Sequence, residues 1–269
     1  TMSRMEGKIV AITGGSGTLG VAIAEGITKE GATVYILARS ADKLLEKEKY
    51  FKELNLDVNA MQCDVMDANS VDNVVDHIYK THGRIDVLIN GAGGNMPGAT
   101  IGPNQSVFDL NIGDFGKVMD LNLLGTVIPS ISFAKAMVEK NTGCIINISS
   151  MSASIPLTRV IGYSAAKASV DNFTKSMAVE MALKYGEGIR VNAIAPGFFI
   201  ADQNRTLLLN EDGSLTARGQ TIINNTPMKR FGRPEELVST ILWLCDDHSS
   251  FITGIVVPID GGFSAFSGV

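Results

Sequence analysis

The chain has 269 residues, 45% hydrophobic and 19% charged, which suits one α/β domain with a large core and requires no second domain. Twenty-three Lys and Arg against 28 Asp and Glu leave a net charge of −5, too mild and of the wrong sign for nucleic acid binding. No apolar run approaches the roughly 20 residues that span a bilayer, and no signal-peptide core opens the chain, so a cytoplasmic protein without membrane partners is expected. Cys63, Cys144 and Cys245 lie far apart in apolar settings without CxxC spacing or a His cluster, and read as buried thiols, not metal ligands.

Residues 8–13 (KIVAIT) have the unbroken apolar character of a buried strand. They run into GGSGTLG at 14–20 and a helix to about 30, so Gly15, Gly17 and Gly20 form a GxGxxG between strand and helix. In that place glycines admit a tight turn, and the helix amides face a pyrophosphate. Gly14, Ser16, Thr18 and Leu19 are the expected phosphate contacts. A second strand, 33–38, ends at Ala38-Arg39, where selectivity for NAD often uses an acid; Arg39 can instead meet a 2′-phosphate, which favours NADP(H) over NAD(H).

The Lys/Glu mixture at 41–54 is a solvated helix face. A third strand at 57–62 precedes Asp64-Val65, expected to border an adenine, and 70–82 is helical, with His77 and His82 solvated. The fourth strand, 85–90, delivers Asn90-Gly91-Ala92-Gly93-Gly94-Asn95, small residues that let a ligand approach the backbone. A mobile stretch, 96–110, then leads to one long helix from 114 to about 139, with Asn122 in its apolar face and a bend at Pro129.

Residues 144–171 hold the densest chemistry: an apolar strand, Ser149-Ser150, and a helix carrying Tyr163 and Lys167 one turn apart. A neighbouring ammonium lowers a phenol's pKa and suits it to general acid work. Ala166, Val170, Phe173, Met177 and Met181 mark that helix's inner face, and its small residues suit self-association. A strand at 189–194 closes on Pro196-Gly197, expected to face the cofactor. The segment 198–230 reads as an irregular polar lid, followed by a helix through 245 and a last strand at 255–259.

Strands alternating with helices imply a Rossmann-like doubly wound parallel sheet covered by helices on both faces, in a single domain over 1–269. From about residue 7 onward the sequence resembles the short-chain dehydrogenase/reductase family, through Thr13-Gly14, Gly20, Asp64, Asn90-Gly91-Ala92-Gly93, Asn122, Ser150, Tyr163, Lys167, Pro196-Gly197 and Asp260-Gly261-Gly262. The resemblance implies seven strands ordered 3-2-1-4-5-6-7, a homotetramer and NAD(P)-dependent interconversion of a ketone and a secondary alcohol. It casts Tyr163 as proton donor and Ser150 as partner of the carbonyl oxygen. Lys167 would lower the phenol's pKa and hold the nicotinamide ribose, while Asn122 positions a relay water.

Two departures from the family pattern stand out: Thr18 where glycine is usual, and Phe198 where many relatives carry threonine, which leaves carboxamide contacts to the backbone. Together with PLTRVIGYSAAK and the QNR of the lid, they resemble the branch of the family that acts on sugar acids, implying reduction of D-fructuronate to D-mannonate. A carboxylate with several hydroxyls needs a cation and amides, for which Asn95, Arg159, Gln203, Asn204 and Arg205 are the candidates. Another polyol, gluconate or a 3-oxoacyl compound is the alternative substrate. A nucleotide sensor without turnover is the alternative class.

Overall fold

The computed structural model describes residues 3–202 and 204–268. Seven strands, β1 (Ile9–Thr13), β2 (Thr33–Ala38), β3 (Val58–Gln62), β4 (Val87–Asn90), β5 (Gly143–Ile148), β6 (Ile189–Pro196) and β7 (Val256–Ile259), form one sheet. Their order is 3-2-1-4-5-6-7, and every pairing is parallel. Parallel strands need long crossovers, supplied here by α1 (Thr18–Lys29), α2 (Ala41–Glu53), α3 (Ala68–His82), α4 (Ile112–Met119), α5 (Gly125–Lys140), α6 (Ile161–Tyr185), α7 (Arg205–Leu208), α8 (Ala217–Asn225) and α9 (Val238–Cys245).

Alternation along the strands divides the core in two. Val10, Ile12, Val34, Ile36 and Ile146 pack with Ile23, Ile27, Phe51 and Ile241 on one face; Ile9, Ala11, Leu37, Leu88 and Ile145 pack with Val74, Ile78, Phe133 and Met137 on the other. Cys63, Cys144 and Cys245 are free thiols buried in these layers. Strand order reverses between β1 and β4, which opens a crevice at the carboxyl ends of the strands.

Five expectations are corrected. The long helix starts at Ile112, and its break is a π-helical turn at Asp120–Leu124 around Asn122; Pro129 lies within α5. The Asn122 amide donates to the Val118 carbonyl, one turn back, and so competes for an acceptor that regular α-helix would use. The span Ile112–Lys140 is also long and apolar enough to cross a membrane, contrary to the reading of the sequence; half of its apolar window is buried in the fold, making it a core helix. Residues 96–110 contain two 3₁₀ turns, Pro97–Ala99 and Val107–Asp109, pinned by Asn111 N donating to Gly98 O at 3.2 Å. On α6 the inward residues include Gly162, Ala166, Val170, Thr174, Ala178 and Met181, with Phe173 and Met177 on the shoulder. The His82 ring bonds the Tyr35 hydroxyl at 2.8 Å instead of facing water alone.

A buried polar network ties the crevice strands together. Asn90 Nδ2 donates to Ser130 Oγ and to Asn147 Oδ1, and Asn147 Nδ2 donates to Thr174 Oγ1, each at 2.9 Å. Replacing Asn147 strands a donor on one side and a hydroxyl on the other. We expect Asn147→Leu to lower the unfolding free energy by about 2–4 kcal/mol in denaturant titrations, and an unchanged midpoint would show that the network is dispensable.

Candidate active site

The crevice is built by close backbone approach. Gly14 has φ +65°, and a Cβ there would stand 2.6 Å from the Gly91 carbonyl oxygen, so the loops after β1 and β4 can touch only without side chains. Thr13 Oγ1 accepts from the amides of Gly91 and Ala92 at 3.1 and 3.2 Å and fixes this contact. The N-cap of α1 is Gly17, which offers no side-chain cap, and the first turn holds no acid. The opening amides of α1 are thus left for an anion, which fits a dinucleotide pyrophosphate. The Thr18 hydroxyl accepts from the Asp202 amide at 3.4 Å, so the departure from glycine ties this loop to the base of the lid.

Along the remaining rim, Arg39 is exposed and β2 ends without a carboxylate. Asp64 accepts from the Met66 amide and Val65 is buried. Asn90 Nδ2 is spent inside the sheet, while its Oδ1 is buried without a hydrogen-bond partner among the described residues. Leu19 packs on the core, Ser16 is half-buried, Pro196 ends β6, and the Gly197 amide donates to Ile259 O at 2.9 Å. Phe198 stacks edge-on against Phe263 at 5.3 Å.

Beyond β5, Ser150 Oγ accepts from Ser152 N and Ser152 Oγ, and its hydroxyl works against the upward push that burial gives the Tyr163 pKa. Lys167 is only 4% exposed, and its Nζ donates to the Ile148 carbonyl at 2.7 Å. The Nζ stands 5.6 Å from the Tyr163 ring centroid. A Cβ on Gly93 would lie 3.3 Å from that Nζ and 2.6 Å from Asn122 Oδ1, so only glycine fits between them. Asn122 is fully buried: Nδ2 donates to Gly94 O and Val118 O, while Oδ1 accepts from Gly94 N. Both amide hydrogens are used on backbone, and the side chain clamps Gly94.

The electrostatics differ from the expected picture. Burial pushes the Tyr163 pKa up, and the opposing influence is the Ser150 hydroxyl, not the Lys167 charge. The phenol is accordingly protonated at neutral pH. Burial pulls Lys167 down to about 8, with Asp171, one turn further on, resisting the shift. Asp171 is itself raised by burial and accepts a hydrogen bond from Ser149.

The proposed substrate contacts separate. Arg159, at φ +75° in the loop before α6, is half-buried, and its carbonyl accepts from Ile101 N at 2.9 Å. Asn95 is exposed and donates to Thr100 Oγ1, and Arg205 is exposed on α7. Asn204 donates to Phe199 O and accepts from Ala201 N, contacts that staple its own loop. Gln203 lies outside the described residues. The lid is ordered by α7 and α8, correcting the irregular reading, and α8 carries a residue the sequence reading passed over. This is Arg218, half-buried, its pKa drawn down by burial first and by the charge of Arg159 second. Its signal was present: Thr221 and Ile222, its neighbours three and four residues on along the helix, are not acids. A cavity of about 390 Å³ lined by Phe198, Met228 and Asp260, among others, includes none of Ser150, Tyr163 and Lys167.

A parallel sheet with this crevice and a Ser, Tyr and Lys grouped at its edge defines a nicotinamide-dependent oxidoreductase, and the protein belongs to the short chain dehydrogenase family, whose pattern matches residues 8–212. It is 46% identical over 274 residues to the uncharacterized oxidoreductase UxuB of Bacillus subtilis (strain 168), covering 98% of each chain. A crystal structure from Haemophilus influenza with bound NAD, described provisionally as a D-mannonate oxidoreductase, superposes with a TM-score of 0.90 at 39% identity, covering 99% of this chain and 98% of that one. The 3-oxoacyl-[acyl-carrier-protein] reductase FabG of Thermotoga maritima is 34% identical over 259 residues, 96% of this chain and 98% of its own.

The lysine gives a test independent of turnover. A pKa of about 8 in the fold against an ordinary 10.5 means that at neutral pH the charged form is disfavoured by folding. That penalty is full below pH 8 and fades as pH rises toward 10.5, where the unfolded protein also loses the proton. Lys167→Met should therefore unfold no more easily than the parent at pH 7. Any advantage it holds there should shrink by about 2 kcal/mol by about pH 9.5, and a variant markedly weaker at pH 7 would contradict the burial argument.

Proposed function

We propose that this protein is a D-mannonate oxidoreductase of the short-chain type, or fructuronate reductase, which reduces the ketone of D-fructuronate to the secondary alcohol of D-mannonate with NADP(H). The observation that carries the reading is the buried Lys167 ammonium, whose Nζ donates to the Ile148 carbonyl and lies 5.6 Å from the Tyr163 ring centroid, with the Ser150 hydroxyl tempering that phenol. A carbonyl oxygen entering between the two hydroxyls accepts from Ser150 and takes the phenolic proton of Tyr163. Lys167 then stabilises the phenolate and offers its remaining N–H groups to the nicotinamide ribose. Bound NAD(P)H supplies hydride to the carbonyl carbon. Asn122 takes part by positioning Gly94, and with it the Gly93 backbone beside Lys167, which is the form its role in the proton route takes here.

Gly14, Ser16, Thr18 and Leu19 would line the pyrophosphate. Asp64 and Val65 would border the adenine, and the backbones of Asn90, Ala92, Pro196 and Gly197 the nicotinamide half. NADP(H) is favoured because Ala38-Arg39 offers a cation and no carboxylate to the ribose. NAD is the second reading, supported by the related structure that holds it. A sugar acid is supported by that structure's description and by Arg159 in the loop leading to Tyr163. The relative named as a 3-oxoacyl reductase supports the alternative, a neutral acyl ketone. The homotetramer is supported by Ile131, Val179 and Leu183, apolar and exposed on α5 and α6, and sedimentation at the 28.6 kDa of one protomer would rule it out.

Initial rates decide the substrate and nucleotide together. D-fructuronate should drive loss of NADPH absorbance, with kcat/KM for NADPH above that for NADH. Absence of uronate-dependent turnover alongside activity on 3-oxoacyl thioesters would reverse the substrate choice. Tyr163→Phe should lose about 10²–10⁴-fold in kcat while the nucleotide dissociation constant stays within about threefold. Retained turnover would remove Tyr163 as proton donor.

A further inference from the structure

We infer that Asp171 on α6 is a positioning residue of the active site: through the Ser149 hydroxyl it holds the turn that carries both the Ile148 carbonyl, where the Lys167 ammonium docks, and Ser150, and it supplies a negative charge one helical turn from that lysine; this rests on the reductase reading above.

The peptide unit between Ile148 and Ser149 is bonded at both ends: its N–H donates to Ile194 O at 2.8 Å, and its carbonyl accepts from Lys167 Nζ at 2.7 Å. In a trans peptide these groups point to opposite sides, so β6 holds one end and α6 the other, and each bond polarises the unit for its partner. The Ser149 side chain makes a third attachment, its hydroxyl donating to Asp171 Oδ1 and lying 3.5 Å from Lys167 O. Ser149 is 2% exposed, so that hydroxyl depends on a partner within the protein. Asp171 comes four residues after Lys167, which comes four after Tyr163, so one face of α6 carries phenol, ammonium and carboxylate on successive turns. Ile148 and Ser149 therefore grip α6 at two levels. Ser150 is the next residue on one side of this clamp and Tyr163 the next turn on the other, so the clamp sets the separation of the two hydroxyls that a carbonyl oxygen must meet. Misplacement by about 1 Å is enough to cost about 10²-fold in rate.

A hydroxyl alone does not require an acid, since the amide of asparagine would accept the same bond. The Asp171 carboxylate is half-buried, and among the described residues no cation lies within 4.0 Å of it, whereas Asp114 and Glu180 each hold a lysine. Its charge is left to the cations one turn to either side, buried Lys167 and exposed Lys175. The other groups around Lys167 are neutral: Tyr163 with its proton, Ser149, the Gly93 backbone and the Asn122 amide. Of the elements packed on α6, α4 brings Asp114 and Lys117, which pair with each other, and the π-helical turn brings Asp120, which is exposed. Lys135, Glu139 and Lys140 of α5 are exposed as well, and Arg190 of β6 binds the carbonyls of Leu244 and Ile252. Asp171 is thus the charge that counters the burial of the ammonium.

The experiment compares the full-length parent with Asp171→Asn, Asp171→Leu and Ser149→Ala. With D-fructuronate and NADPH at neutral pH, Asp171→Leu and Ser149→Ala should lower kcat by about 10–100-fold, while Asp171→Asn, which can still accept from Ser149, should lose less than about fivefold. NADPH affinity in the parent should begin to fall near pH 8, where Lys167 of the free protein gives up its proton, and in Asp171→Asn about half to one pH unit lower. A role confined to folding would lower Tm and leave that pH dependence where it is. A kcat within about twofold of the parent in both Asp171→Leu and Ser149→Ala, or an unshifted affinity profile in Asp171→Asn, overturns the inference. A parent without fructuronate turnover removes the substrate reading, and the affinity profiles then decide on Asp171 by themselves. Where Asp171→Leu does not fold, Ser149→Ala and Asp171→Asn supply the same two readouts.

Discussion

The hydrogen bond from Lys167 Nζ to the Ile148 carbonyl is the contact around which the site is arranged. An ammonium that is 4% exposed and has no direct carboxylate partner among the described residues survives only where oriented backbone surrounds it. The last carbonyl of β5 supplies that environment, and the parallel register of β4, β5 and β6 fixes where this carbonyl points. Gly93 leaves room for the ammonium, and Asn122 holds the next residue in place. The π-helical turn thus belongs to the site: it directs the Asn122 amide toward Gly94.

Burial sets the proton inventory of this crevice. Desolvation acts in opposite directions on phenol and ammonium, keeping Tyr163 protonated while drawing Lys167 toward neutrality. A phenol that holds its proton is ready to give it to a reduced carbonyl. A bound dinucleotide would bring negative phosphates and ribose hydroxyls to the same rim, and its charge would favour the ammonium that the fold alone resists. Cofactor binding and activation of the lysine are then physically linked. Arg159, in the loop before α6, and Arg218, in the lid, likewise make no ion pair with an acid among the described residues, whereas Arg84, Arg230 and Arg233 do.

Much of this was legible in the sequence for local reasons. Unbroken Val/Ile runs identify buried parallel strands, GGSGTLG between strand and helix identifies a phosphate turn, and a spacing of four puts Tyr163 and Lys167 on one helical face. Where two patterns were compatible with the same residues, the reading slipped. Phe173 and Met177 look like core by hydrophobicity, yet the buried four-residue step of α6 is Gly162, Ala166, Val170, Thr174 and Ala178, small residues that let the helix approach its neighbours closely. Asn204 looked like a free amide because its partners, Phe199 O and Ala201 N, are backbone groups that a sequence does not display.

By itself the sequence determined the layer order, the nucleotide turn and the identity of the reactive trio, because each depends on residue type and on spacings within one element. Only the tertiary structure decided which groups are desolvated and what they face. It made Ser150 and not Lys167 the group that tempers Tyr163, lodged the Asn122 amide on Gly94, and tied the Thr18 hydroxyl to the Asp202 amide at the base of the lid. Those outcomes depend on distances between segments tens of residues apart, and solvation and Coulomb energies are set by such distances, not by the order of residues along the backbone.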